Sequence, residues 1–187
     1  AEVTFRFPVG CKVMIDSAVR LLSLANQLDA CTRTVLLQFD DGAAGAMGYL
    51  DRMGFFDYLA PGVAVYPERP SHSAAETYRG RNRGLVEIAA IGPTTRDQEL
   101  PHRLTTVLAE ACSDRRDIDD LRGAAWLIFA ELIDSIHSHS QTPLDGFAAL
   151  QVYQGGNGLK VAVSDSGLGI MATLRPSLAS EYPALRH

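Results

Sequence analysis

The sequence predicts a mixed α/β protein built from two units, and three observations predict it. Strand-like and helix-like segments alternate over the first 92 residues, the pattern of a sheet covered by helices. Two long amphipathic helical segments follow a Gly-Pro-rich boundary at Gly92–Asp97. A hairpin pattern then closes the C-terminal half, which predicts an α+β sandwich there. The expected division is therefore 1–92 and 93–187.

In order, Val3–Phe7 alternates apolar and polar residues, the period of a strand. Pro8-Val-Gly10 is a turn. Ile15, Val19, Leu22 and Ala25/Asn26 recur at helical spacing over Ile15–Leu28, with Asp16 or Ser17 available as a cap. Thr34–Phe39 is a short apolar run of the kind found in buried strands. Asp40–Gly45 is a loop, Ala46–Leu59 a second helix ending before Pro61-Gly62, and Val63–Tyr66 a strand. Glu68–Arg83 is polar and reads as a loop, and Leu85–Ile91 as a strand. Leu100–Cys112 and Ile118–Ser138 are helices. The second carries Leu121, Ala124/Ala125, Ile128, Leu132 and Ile136 as its expected core stripe. Phe147–Tyr153 and Leu159–Ser164 flank Gln154-Gly-Gly-Asn-Gly158, which has hairpin-turn chemistry. A last helix is expected over Ala172–Ala179.

Composition narrows the function classes. The net charge of −5 argues against a nucleic-acid binder, which needs a basic face. No apolar run approaches the ~18–20 residues of a membrane span. Three cysteines, at 11, 31 and 112, are too few and too scattered for a disulfide framework or a zinc site. The expected location is the cytoplasm. Arg79, Arg81 and Arg83 form a local basic patch, read either as a solvated loop or as a contact for an anion or partner. Asp40-Asp41 before Gly-Ala-Ala-Gly reads as turn chemistry. His137 and His139, two apart on a helix, point to different sides and cannot share an ion.

Two patches carry chemistry. In Glu131-Leu-Ile-Asp-Ser-Ile-His-Ser-His-Ser140, Glu131, Ser135 and His139 stand at i, i+4 and i+8 and share one helix edge. In Val161-Ala-Val-Ser-Asp-Ser-Gly-Leu-Gly-Ile170, a strand stops at Asp165 and breaks into a turn containing Gly167 and Gly169. Those glycines permit positive φ and close approach of backbone to a ligand.

These two patches, in this order with a hairpin between them, resemble the nucleotide-binding boxes of the histidine-kinase-like ATPases. That group, GHKL, also holds the gyrase-type topoisomerases. The first 92 residues resemble a STAS-like module, the fold of anti-anti-sigma factors, by order of elements alone.

The resemblance implies a partial Bergerat-type ATP-binding fold over 93–187. It implies ATP and Mg²⁺ as ligands and Glu131 as the residue that polarises the attacking water. It implies Asp165 as acceptor for the adenine amino group, Gly167 and Gly169 beneath base and ribose, and His139 near the phosphates. Ser135 stands where the family places a Mg²⁺-binding asparagine, and a hydroxyl reaches less far than a carboxamide. The family's later glycine-rich lid box has no counterpart before His187, so a domain cut before its lid is expected. The implied function is bacterial regulation: ATP hydrolysis or phosphotransfer coupled to conformational change, with a protein partner or a homodimer. The alternative is a non-catalytic interaction module whose nucleotide site has degenerated at Ser135.

Overall fold

The computed structural model describes residues 1–92, 94, 97–153 and 158–167. The protein is mixed α/β, with one parallel and one antiparallel three-stranded sheet.

The first sheet contains β1 (Glu2–Phe7), β2 (Thr34–Phe39) and β3 (Ala64–Tyr66) in that order, all parallel. Parallel neighbours need crossover connections. α1 (Ile15–Ala30) supplies the first, and α2 (Gly45–Arg52) lies on the second. α1 buries Ile15, Ala18, Val19, Leu22 and Ala25 along one face, the stripe its spacing predicts. Neither Asp16 nor Ser17 caps it; the N-cap is Met14, with no side-chain cap. Asp16 instead pairs with Lys160 of the second sheet at 3.1 Å.

α2 is shorter than expected. It ends at Arg52, and Gly54 follows at φ +80°, with its N–H given to Asp51 O at 3.0 Å. A left-handed residue stops a helix, so Phe55, Phe56 and Leu59 enter the core from turns rather than from a helix face. A short helix, α3 (Ala74–Tyr78), interrupts the expected 68–83 loop, capped by Ser73 Oγ on the Glu76 N–H.

The second sheet contains β4 (Leu85–Ile91), β5 (Gly146–Tyr153) and β6 (Gly158–Ser164), antiparallel in that order. Leu85–Ile91, read from the sequence within the first α/β unit, thus pairs across about sixty residues of chain. Its partners are Gly146–Gln151, and its contact with the first sheet's core is through Leu85 and Ile88. The hairpin pairing of β5 with β6 is as expected; the turn residues 154–157 and the expected helix at 172–179 lie outside the described residues.

α1 lies between the sheets, touching β2 on one side and β5 and β6 on the other. α4 (Leu100–Ala111) and α5 (Ile118–His139) cover the opposite face of the second sheet. β5 alternates between the two cores: Phe147 and Ala149 join the cluster around α1, and Ala148 and Leu150 join the cluster under α4 and α5.

The stripe predicted on α5 meets the buried one only at Ala125 and Ile136. Ala125, Phe129, Ile133 and Ile136 are buried, while Ile128 and Leu132 are about half exposed. Both stripes keep a 3.6 period because this helix is apolar on more than one side; which side faces the sheet is settled by packing.

Candidate functional site

The C-terminal half of α5 and the end of β6 come together in the fold. Ile136 holds α5 to the start of β5: a Cβ on Gly146 would meet Ile136 Cγ2 at 2.7 Å and Ser164 O at 2.6 Å. His137 Nδ1 lies 2.8 Å from Gly92 O, tying the same helix turn to the end of β4. The third tie is Gly167. A Cβ there would collide with Ser140 O and stand 2.7 Å from Ser140 Cα. Both are backbone atoms with little freedom to yield, so this close approach requires glycine.

Glu131, Ser135 and His139 are all exposed. At 100° per residue they fall on the side of α5 away from Phe129 and Ile133. Asp165 is exposed just past the last residue of β6. Its Oδ1 accepts the Gly167 N–H at 2.7 Å, an Asx turn that orients the carboxylate. The structure thus sets the Asp165–Gly167 turn against the end of the helix that carries Glu131, Ser135 and His139. Gly169 lies outside the described residues.

Two groups here have no counterpart in the sequence reading. Ser166 is buried, and its hydroxyl has no hydrogen-bond partner among the described residues. An unsatisfied buried hydroxyl costs ~1–3 kcal/mol unless something bonds to it. Ser164 Oγ stands 2.7 Å from Ser23 Oγ, a buried residue of α1, so the strand that delivers Asp165 is anchored to the N-terminal half. Polarity alone does not distinguish these serines from surface ones.

Glu131 and Ser135 offer oxygen donors one helical turn apart. That is a hard donor set, in character with Mg²⁺, which commonly takes one or two carboxylates plus phosphate and water. Among the described residues no group of three or more His, Cys, Asp or Glu is placed to hold a metal by itself. No helix among the described residues is long and apolar enough to cross a membrane.

No family model, no curated protein and no solved structure matches the chain.

Proposed function

We propose that the chain binds an adenine nucleotide between the outer side of α5 and the Asp165 turn. In this reading it is a regulatory protein of the histidine-kinase-like class, a Bergerat-type half joined to a STAS-like half. The observation that carries the reading is the close approach of Gly167 to Ser140. It brings together two patches about thirty residues apart in the chain.

Each residue has a role in it. Asp165, held by its Asx turn, accepts the exocyclic amine of adenine; guanine presents an oxygen there and is refused. Glu131 orients a water as general base, Ser135 and His139 lie along the phosphates, and Ser135 would hold Mg²⁺ through a bridging water. The cation neutralises phosphate charge when bound. The shorter reach of Ser135 favours binding over turnover, so the second reading, a nucleotide-dependent interaction module without hydrolysis, shares the same site.

The test is isothermal titration calorimetry of ATP and GTP, with and without Mg²⁺, on the chain and on Asp165→Asn. Expected are ATP binding, no GTP binding, and at least tenfold weaker ATP binding by the variant. Equal binding of both nucleotides, or an unaffected variant, would remove the base from the Asp165 turn. If ATP binds, Ser135→Asn separates the two readings: a gain in Mg²⁺-dependent hydrolysis favours the enzyme, and unchanged silence favours the binding module.

A further inference from the structure

A depression of about 820 Å³ lies along β4, the edge strand of the second sheet. β4 lines it with Val86, Glu87, Ile88, Ala89 and Ala90, apolar but for Glu87. Val107 lines it from α4, and Arg79 and Arg83 from the loop before β4. Asp145, which directly precedes the β5 residue paired with Ile91, marks the other end. β4 has seven residues, about 23 Å of extended chain. A groove of that length suits an extended segment better than a single small anion.

Besides Arg79, Arg83 and Asp145, the groove is lined by Glu87, Asp97 and Glu110. Glu87 is already neutralised by Arg52 at 2.8 Å, and Asp97 by Arg103 at 2.7 Å. Arg79 is within electrostatic range of Asp57. Arg81 and Arg83 take part in no ion pair among the described residues; Arg83 lines both the groove and an adjoining hollow of about 690 Å³, and Arg81 lines the hollow, 6.0 Å from the Tyr78 ring. The segment before β4 therefore carries three exposed arginines within five residues, two lining the groove and Arg81 the adjoining hollow, and Asp145 stands by the far end of the strand. The strand edge is not open throughout: the Ile88 N–H is given to Met53 O at 2.9 Å. An occupant is read by its side chains, not by a continuous β-ladder.

We propose that this groove binds an extended segment of a partner protein, about seven residues long. Its acidic side chains face Arg79, Arg81 and Arg83, small apolar ones cover β4, and a lysine or hydroxyl donor faces Asp145. Arginine clusters recognise acidic motifs in this way, and the groove supplies the length and apolar floor that a bare cluster lacks. None of this rests on the nucleotide reading.

The test is selection of random eight-residue peptides, displayed on phage, on the whole chain, with counter-selection on Val107→Trp, which fills the groove. Enriched peptides are then labelled with fluorescein and titrated by anisotropy. Expected are peptides with acidic residues clustered at one end, bound at least tenfold more weakly by Arg79→Glu/Arg83→Glu and by Val107→Trp. The arginine positions are exposed, so that variant reads binding without a folding defect; circular dichroism checks Val107→Trp. The proposal is overturned if no peptide survives counter-selection, if the survivors lack the acidic end, or if the arginine variant binds them unchanged. Displacement by succinate at the peptide's own concentration would also overturn it, reducing the groove to an anion site.

Discussion

The two sheets invert a common expectation. Parallel sheets are usually covered on both faces, and antiparallel ones often keep one face in water. Here the parallel sheet alternates along β1 and β2, with Val35, Leu37 and Phe39 buried and the residues between them partly or fully exposed. The antiparallel sheet is covered twice: Phe147 and Ala149 face the α1 core, while Ala148 and Leu150 face α4 and α5. The lesson is that strand direction does not decide burial; the elements that pack on a sheet decide it. α1 serves both sheets, so the first half of the chain completes the second.

That dependence can be broken at its centre. Phe147→Ala is expected to cost about 3–5 kcal/mol, since the ring is 1% exposed and packs on Tyr58 at a centroid distance of 5.9 Å. Urea unfolding followed by Trp126 fluorescence and by far-ultraviolet circular dichroism should show one shared transition, shifted together. Two separated transitions would mean that the halves hold independent cores.

A smaller loss is expected from Arg52→Met, about 2–4 kcal/mol, because it leaves the Glu87 carboxylate, 7% exposed, without its cation. The double variant Arg52→Met/Glu87→Met should recover most of the loss in the same denaturation experiment. Failure to recover would mean that the arginine acts through its contact with the Tyr78 ring, 5.6 Å away.

Asp145 sharpens the comparison through pH. Burial raises its pKa above the ordinary 3.8, so in the folded state the ionised carboxylate is disfavoured. The penalty is complete above the folded pKa, shrinks as pH falls through it, and vanishes below the unfolded value. Asp145→Asn is therefore expected to raise the melting temperature at neutral pH and to give no gain near about pH 3. A gain that persists in acid would assign the effect to hydrogen bonding instead. Lys160 and Asp16 run the other way. Partial burial opposes ionisation of Asp16, but the Lys160 ammonium outweighs it and lowers the pKa, so that contact between the halves weakens on acidification.

The smallest effect belongs to the outer side of α5. Ile128→Ala and Leu132→Ala should each change stability by no more than about 0.5 kcal/mol, as exposed positions do. A loss above about 1 kcal/mol in thermal melts would show that this face is covered in solution.

Residue pattern alone determined the α/β class, α1 with its buried face, the β5–β6 pairing, and the placing of Glu131, Ser135 and His139 on one exposed side of α5. Each of these depends on chain-local spacing: the 3.6 period of α1, the alternation of β5 and β6 about a glycine-rich turn, and Glu131, Ser135 and His139 one helical turn apart. Local spacing could not stop α2 at Gly54, because a positive φ is a choice glycine permits and does not compel. It could not orient α5, whose Ile128–Leu132 and Phe129–Ile133 stripes are equally apolar. Only the tertiary structure moved β4 into the second sheet, brought Gly167 against Ser140, and laid the arginine loop beside α4. These are contacts between segments far apart in the chain, and they form because the apolar faces of β4, β5 and α1 lose more water by packing on one another than by closing separate cores.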